Sequence, residues 1–261
     1  MRAGILAISF LLVGCSTQIS TNKERTVPIS LQLQHSSTAL AESRQLLPVS
    51  ELRPGDILLS SSRGINSLGI RLFSVAGVSH ASVYLGDEQV AEAVGSGVRI
   101  IPLAQAVKES NNMLALRYPD LTEQQAAQIR DFSLQQQGRK YNYKGIVMIA
   151  PWMLTKRVCE IPLLGAKQRN FCLSTLAKIQ LGDEQEQEQV QSFFCSQFVT
   201  EAYAQAGYPI VQGNSAWITP ADLLHMREGD VSSFSPQERL SYVGHLKNWN
   251  LANNVLPGRE P

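Results

Sequence analysis

The sequence predicts an α+β fold in which an antiparallel sheet packs against a helix that begins near a cysteine. Short strand-like runs separated by turn residues, between positions 57 and 101, predict the sheet. One amphipathic stretch, Phe193–Gly207, predicts the helix. With 261 residues, 44% of them hydrophobic, the chain is long enough for one sizeable domain or two small ones.

The N-terminus has the pattern of an export signal. Arg2 is followed by the apolar run Ile5–Val13, which is too short to span a bilayer, and then by Gly14 and Cys15. This ending resembles a bacterial lipobox, in which the cysteine is diacylated and becomes the mature N-terminus; an ordinary signal peptide is the alternative. In such lipoproteins Ser16 indicates the outer membrane, with the protein facing the periplasm.

The composition along the chain predicts four parts. We expect residues 1–14 to be a signal peptide, and residues 15–48, a stretch rich in Ser, Thr and Gln, to be a lipidated N-terminus and tether. Residues 49–250 are expected to form the folded domain, and residues 251–261 a C-terminal tail.

Charge and residue spacing argue against two classes of partner. The chain carries 23 Lys and Arg against 22 Asp and Glu, and it has no basic cluster that would bind a nucleic-acid backbone. No Cys-x-x-Cys or His-Glu-x-x-His spacing occurs, so we predict neither a metal nor another cofactor.

The expected strands and helices alternate with turn signals. Six apolar runs are typical of strands: Ile57–Ser60, Ser79–Leu85, Gln89–Val94, Val98–Ile101, Met113–Arg117 and Ser241–Leu246. Helices are expected at Ser67–Ser74, Pro102–Glu109, between Asp120 and Gly138, at Phe193–Gly207 and from Thr219 to Met226. The strands at 79–85 and 89–94 predict a hairpin, which favours an antiparallel meander.

Two of these helices have clear N-terminal signals. A capping box can form before the helix that ends at Gly138, from either Asp120 with Glu123 or Thr122 with Gln125. The later helix has a Thr219 cap followed by a proline at its first position.

The segment Gly145–Leu154 is almost wholly apolar and is interrupted by Pro151. It is too short to cross a bilayer. A buried helix and turn is the simplest interpretation, and an apolar substrate pocket or a membrane-facing lid is the alternative.

Three cysteines remain once Cys15 is lipidated, and an oxidising periplasm permits a disulfide between two of them. Cys159 and Cys172 bracket a segment with Pro162 and Gly165, which a bridge would close as a loop. In the chain-entropy model such a bridge stabilises the fold by about 3 kcal/mol. That pairing leaves Cys195 as a free thiol.

Cys195 lies in the first turn of the predicted helix, which Ser192 can cap and Gly207 can end. Unpaired backbone N–H groups in a first turn favour an anion, so they lower the pKa of a thiol, as a nucleophile requires. A small buried apolar cysteine is the alternative, and only a nearby base distinguishes the two.

His80 is the candidate base because, of four histidines, it lies on a predicted strand near an acid. If Gly86–Glu88 form a three-residue loop, His80 pairs with Val94, and Glu92 lies diagonally on the same face. A two-residue turn would place the two side chains on opposite faces. Glu92 is the only acid in an apolar run, so its carboxylate needs a partner, and it would orient the imidazole.

Four motifs occur in an order that resembles a known family: Val78–Gly86, Val90–Ala93, Gly138–Tyr143 and Phe193–Val199. They are similar to those of the circularly permuted NlpC-like branch of papain-fold cysteine hydrolases, and most to its YaeF/YiiX type. The resemblance extends from about Leu52 to His245, and the lipobox and the Cys159/Cys172 pair fit the same subgroup.

The resemblance implies a circularly permuted papain-like fold in which the histidine strand precedes the nucleophile helix. It implies Cys195 as the nucleophile, His80 as the base and Glu92 as the third catalytic residue. It also implies Tyr141 as a residue that lines the site and Ser196 as a substrate-binding residue. Relatives commonly carry Ser-Glu after the cysteine, whereas this chain has Ser196 followed by a glutamine.

These residues lead to a hypothesis of function: an envelope-anchored cysteine peptidase or amidase that acts on an amide bond of peptidoglycan peptides or protein. The same branch resembles lecithin retinol acyltransferases, so a lipid acyl hydrolase or acyltransferase is an alternative. A non-catalytic binding lipoprotein is a second alternative.

Overall fold

The structure, a computed structural model, describes residues 17–21, 29–34, 46–62, 77–143, 151–160, 166–181, 192–211 and 214–248. The predicted signal peptide, Cys15, the C-terminal tail and the predicted helix at Ser67–Ser74 lie outside these residues. So does most of the apolar segment Gly145–Leu154.

The described strands and helices follow the chain in a mixed order. The strands are β1 (Thr17–Thr21), β2 (Ile29–Leu33), β3 (Ile57–Ser62), β4 (His80–Gly86), β5 (Gln89–Val94), β6 (Gly97–Pro102), β7 (Ser110–Arg117), β8 (Lys140–Tyr141), β9 (Ser192–Phe193) and β10 (Ser241–Lys247). The helices are α1 (Leu103–Glu109), α2 (Glu123–Gln135), α3 (Ala166–Leu181), α4 (Cys195–Gln205) and α5 (Pro220–His225). Within the described ranges, no helix combines the length and apolar character needed to cross a membrane.

Six strands form one sheet in the order β10-β7-β3-β4-β5-β6, and each neighbouring pair is antiparallel. Strands β3 to β6 are sequential neighbours, which confirms the predicted meander over this part. The chain then passes through α1 and returns to the other side of β3, where β7 pairs. The antiparallel sheet with its helices confirms the predicted α+β class.

Each face of this sheet carries a hydrophobic cluster, as the side chains of strand β3 show. Ile57 and Leu59 of β3 belong to the cluster that includes Phe198 of α4. Leu58, which lies between them, belongs to a second cluster that includes Leu103 of α1. The period of two along the strand thus attaches α4 to one face of the sheet and α1 to the other.

Two helices begin with capping boxes whose first residue is a predicted cap. Thr122 and Gln125 form the box of α2, whereas Asp120, the other candidate cap, lies outside the helix in a left-handed conformation with φ 54°. Thr219 and Asp222 form the box of α5, and the carboxylate of Asp222 also accepts a hydrogen bond from the buried Lys156 at 2.7 Å.

The stretch that the sequence predicts to be a tether contains regular structure. Strands β1 and β2 pair antiparallel to each other. The amide of Gln34 donates a hydrogen bond to the Val231 carbonyl at 2.9 Å, and the Leu47 N–H donates to His245 at 2.7 Å. These contacts attach parts of residues 15–48 to the C-terminal half of the domain.

One local expectation is wrong, and one local feature was not predicted. Cys172 lies within helix α3 instead of in a loop, because Arg169, Leu173 and Ala177 recur every four residues and give the helix one buried side. The other unexpected feature is the parallel pair of two-residue strands β8 and β9, which are too short to produce a pattern in the sequence.

Candidate active site

Cys195 is the first residue of α4 and is 1% exposed. Its predicted place in the first turn of a helix is confirmed. The predicted Ser192 cap is wrong, because Ser192 pairs with Lys140 in the β8–β9 ladder. The capping position belongs to Phe194, which is extended and provides no side-chain hydrogen bond.

The chain on both sides of Cys195 is held by hydrogen bonds to other elements. Before it, Phe193 pairs with Tyr141, and its carbonyl accepts a hydrogen bond from the Asn142 N–H at 3.0 Å. After it, the buried hydroxyl of Ser196 donates to the Ile218 carbonyl at 2.7 Å. These contacts fix the start of α4 relative to the rest of the domain.

The register of the β4–β5 hairpin brings His80 and Glu92 together. Ser82 lies opposite Glu92, so His80 is two residues further along β4 and on the same face as Glu92. This is the diagonal relation that the sequence favours.

The turn of this hairpin differs from the prediction. Gly86 pairs with Gln89, so the turn contains two residues instead of three. An extra residue, Leu85, bulges between the pairs formed by Tyr84 and Gly86, and it shifts the register by one. The bulge therefore restores the alignment that a two-residue turn alone would have lost.

A continuous hydrogen-bonded chain runs from Glu92 through His80 to Cys195. Nε2 of His80 lies 2.7 Å from Oε2 of Glu92, and the ring also hydrogen-bonds Cys195. The side chains of His80 and Glu92 are 13% and 7% exposed, so these contacts are largely shielded from water. The structure thus brings the three predicted catalytic side chains together.

Hydrogen bonds and opposite charges outweigh burial in setting the pKa values of these groups. Burial lowers the pKa of His80, but hydrogen bonds to Cys195 and Glu92 and their charges raise it to about 10. Burial raises the pKa of Cys195, but His80 and the backbone N–H groups of Ala81 and Ser196 bring it below its ordinary value. The favoured form at neutral pH is therefore a thiolate beside an imidazolium.

Glu92 is ionised for a similar reason. Burial by itself raises the pKa of its carboxyl group, but the hydrogen bond and charge of His80, with those of Arg99, lower it to about 2. A carboxylate at this position provides the counter-charge for the imidazolium.

Tyr141 lies next to the thiol. Burial, followed by the charge of Cys195, raises the pKa of the Tyr141 phenol. Its ring contacts the ring of Tyr143 edge-on, with centroids 5.0 Å apart, and the Tyr143 hydroxyl donates to the Gly95 carbonyl at 3.0 Å. Tyr143 thus supports the Tyr141 ring from the side.

The side chain of Ser196 is buried, and its hydroxyl donates a hydrogen bond to the Ile218 carbonyl instead of contacting the thiol. Only its backbone N–H reaches the sulfur of Cys195. The sequence-based expectation that Ser196 binds substrate therefore rests on its backbone.

Arg99 and Glu109 are close to the site and were missed by sequence reasoning. Arg99 pairs with Glu92 across the β5–β6 ladder, and its side chain contacts both Glu92 and Glu109. The signal for Arg99 was present in the Gly95–Ser96 turn, which aligns it with Glu92. Glu109 reaches the site from the end of α1, a placement that no strand register could reveal.

The remaining cysteines are paired or outside the described residues. Cys159 and Cys172 form a disulfide with Cα atoms 5.6 Å apart, and Cys195 is the free cysteine of the described chain. Cys15 lies outside it. Among the residues that the structure places, no group of three His, Cys, Asp or Glu side chains could hold a metal ion.

Known proteins with similar sequences identify the family. A family model described as a permuted papain-like amidase enzyme, YaeF/YiiX, C92 family, matches residues 51–146. The probable lipoprotein peptidase YaeF of Escherichia coli (strain K12) is 44% identical over 247 residues, which cover 92% of this chain and 90% of that protein. The chain belongs to the YaeF/YiiX family.

Membership in the YaeF/YiiX family confirms the predicted family and makes the protein a papain-like cysteine peptidase or amidase. The permuted order is visible in the structure, where the strand with His80 precedes the helix with Cys195. The solved structure of the metalloprotein YiiX from Escherichia coli O157:H7 is also similar. It is 16% identical with a TM-score of 0.45, covering 77% of this chain and 99% of that one.

Proposed function

We propose that this YaeF/YiiX family member is a lipid-anchored envelope hydrolase in which Cys195, His80 and Glu92 cleave an amide bond of a peptidoglycan peptide or protein. The single observation that supports this proposal most strongly is the hydrogen-bonded chain from Glu92 through His80 to Cys195 at the start of α4. A nucleophile, a base and an orienting group in this order are the requirements for nucleophilic acyl transfer.

The reaction begins with attack of the Cys195 thiolate on the amide carbonyl carbon, which forms a tetrahedral intermediate. Backbone N–H groups at the start of α4 stabilise the negative oxygen. The His80 imidazolium then donates its proton to the leaving nitrogen, the C–N bond breaks, and an amine departs. A thioester between the acyl group and Cys195 remains.

Water completes the cycle. Neutral His80 takes a proton from a water molecule, whose oxygen attacks the thioester carbonyl carbon. The second tetrahedral intermediate collapses, the C–S bond breaks and a carboxylic acid is released. The thiolate and the imidazolium are then restored for the next substrate. Tyr141, whose phenol feels the charge of Cys195, is the aromatic residue proposed to line the site that holds the substrate chain.

The membrane anchor is part of the proposal. Cys15 follows the apolar run of a lipobox, and the relative YaeF is itself named a lipoprotein. Two or three acyl chains on Cys15 would anchor the mature protein stably. Ser16 next to the lipidated cysteine favours the outer membrane, with the domain facing the periplasm.

The test of the enzymatic proposal is to trap the covalent intermediate. The full-length protein is mixed with envelope extract, the reaction is stopped with acid, and the peptide that contains Cys195 is weighed by mass spectrometry. We expect a mass increase that matches a peptide or muropeptide acyl group, and none in a Cys195→Ala variant. A fatty acyl adduct would instead support the lipid acyl alternative. A protein that never acquires an adduct at any quench time would support a binding lipoprotein.

A further inference from the structure

The carboxylate of Glu92 has a separate partner for each oxygen. Oε2 lies 2.7 Å from Nε2 of His80. Oε1 accepts a hydrogen bond from Nε of Arg99 at 2.8 Å, and Nη2 of Arg99 lies 2.6 Å from the same oxygen. Arg99 is placed there by the ladder between β5 and β6, in which it lies directly opposite Glu92.

We propose that Arg99 is a positioning residue, which holds Glu92 as the charged and correctly oriented partner of His80, while Glu109 holds the outer end of the guanidinium group. This inference rests on the proposed function, because it assumes that Glu92 acts on Cys195 through His80.

The burial of Glu92 explains why a second partner is needed. Glu92 is 5% exposed, and a buried carboxylate is costly unless its oxygens are hydrogen-bonded and its charge is balanced. With His80 as the only partner, the carboxylate could rotate about its last bond or take up a proton. The planar guanidinium group holds Oε1 through two nitrogens, so Oε2 is directed at the imidazole ring.

Glu109 extends the chain to the surface. Its Oε2 accepts a hydrogen bond from Nη2 of Arg99 at 2.6 Å, and its Oε1 accepts one from Gln105 at 2.8 Å. The Glu109 side chain is 46% exposed, so it can balance the charge of Arg99 with little loss of hydration. Charges of alternating sign therefore run from Cys195 through His80, Glu92 and Arg99 to Glu109.

The charged and titratable groups of this network lie on several elements that pack against one another. His80 faces Cys195 of α4 and Glu92 of β5. Glu92 faces Arg99 of β6, and Arg99 faces Glu109 of α1. Tyr141 of β8 faces Cys195. Removal of Arg99 takes the one arginine out of this set, so both the loss of positive charge and the weaker hold on Glu92 destabilise the thiolate.

The experiment measures the alkylation rate of Cys195 by iodoacetamide against pH, in the full-length protein, with the site identified by mass spectrometry. Alkylation requires the thiolate, so the pH of half-maximal rate reports how well the thiolate is stabilised. In Arg99→Gln we expect this half-point to rise by about one pH unit, with an alkylation rate about tenfold lower on the acid side. Arg99→Lys keeps the positive charge but lacks the planar guanidinium group, so its half-point should lie between those of the wild type and Arg99→Gln.

Two variants separate positioning from stability. Glu109→Gln removes a negative charge but keeps an acceptor for Arg99, so its half-point should not rise above that of the wild type. Arg117→Gln removes an arginine that binds the buried Asp56 through two hydrogen bonds of 2.7 Å. Asp56 precedes the first residue of β3, whereas His80 pairs with Ser60, further along that strand. Arg117→Gln should therefore lower thermal stability without moving the half-point.

The outcomes distinguish this inference from the proposed function. If Cys195 of the wild type alkylates no faster at neutral pH than an ordinary thiol, the proposed nucleophile is wrong and so is the inference. If wild-type Cys195 alkylates faster at neutral pH than an ordinary thiol but folded Arg99→Gln keeps the wild-type profile, only the inference is overturned. An equal shift in Arg99→Gln and Arg117→Gln would also overturn it, because that result would reflect general destabilisation.

Discussion

His80 has two charged partners, and only one of them lasts through the proposed reaction. While the thiolate is present, both Cys195 and Glu92 raise the pKa of His80. Once the thiolate has attacked the substrate, its charge is gone, and the pKa of His80 falls towards the value that Glu92 alone supports. The imidazolium thus becomes a better acid at the step in which it must give its proton to the leaving nitrogen.

Glu92→Gln tests whether the charge of Glu92 is needed for this step. The change keeps a side chain of the same shape and one hydrogen-bond acceptor but removes the counter-charge of the imidazolium. We expect kcat to fall by roughly tenfold to ten-thousandfold while the protein stays folded. Since Glu92 raises the pKa of His80, the alkaline limb of the pH–rate profile should move to lower pH.

A double-mutant cycle provides the control for this prediction. His80→Ala should be at least as severe as Glu92→Gln, and the two together should cost much less than the sum of the single losses, because they act as one unit. Fully additive losses would mean that Glu92 has a separate role, such as supporting the strand.

At the level of structural elements, the site depends on the backbone hydrogen bonds that join the segment after α2 to β6. The Val98 N–H donates to the Arg139 carbonyl at 2.9 Å, and the Gly138 N–H donates to Val98 at the same distance. The next residues form β8, which pairs with β9 immediately before Cys195. The position of Tyr141 therefore depends on the hydrogen bonds between Val98 and the Gly138–Arg139 backbone.

Gly97→Ala should disrupt the contact between β6 and the Arg139 backbone. Gly97 has φ 114°, and a Cβ atom there would lie 2.4 Å from the Arg139 carbonyl oxygen, which is backbone and cannot move aside alone. We expect the free energy of unfolding to fall by about 1–3 kcal/mol, measured by denaturant titration, because both the strained φ and the clash disfavour the native state.

Gly207→Ala is the matched control for Gly97→Ala. Gly207 also has a positive φ, 79°, but no atom lies within 4 Å of a Cβ built there, so only the backbone strain applies. We expect a smaller loss of stability and unchanged alkylation of Cys195. Equal losses in the two variants would show that the clash with the Arg139 carbonyl adds nothing to the loss of stability.

The elements that sequence could predict are those whose signal is local. The first-turn position of Cys195, the Thr219 cap and the meander all depend on residues close together in the chain. The pairing of His80 with Glu92 needed the hairpin register, which was predicted correctly although the turn was not.

What could not be predicted depends on contacts between distant segments. The β8–β9 ladder joins residues about fifty positions apart through two residues on each side, and no periodicity marks so short a strand. Likewise, Ser196 turns inward because the Ile218 carbonyl is there to accept its hydroxyl. The network from Glu92 to Glu109 crosses two strands and the end of a helix, so only the folded chain reveals it.

For the whole molecule, the proposed function requires the folded domain to be held at a membrane by Cys15. The change Cys15→Ala should prevent lipidation and processing at that position, and it should leave an uncleaved precursor or a mislocalised protein in fractionated cells. Cys195 should still alkylate at neutral pH, because the site is formed by residues of the folded domain. Normal maturation with outer-membrane fractionation of this variant would contradict the lipobox interpretation.

The short spacing of the bridged cysteines has a consequence for the order of events during oxidative folding. Cys159 and Cys172 are 13 residues apart, and Cys195 is further from either of them. In a flexible chain the chance that two residues meet falls roughly as the 3/2 power of their separation, so the correct pair meets about twice as often as Cys172 meets Cys195. Early closure of this bridge consumes the two thiols with which the nucleophile could mispair, and folding then buries Cys195. In the oxidising periplasm of the proposed function, a nucleophile at Cys195 would thus be kept from mispairing first by competition and afterwards by burial.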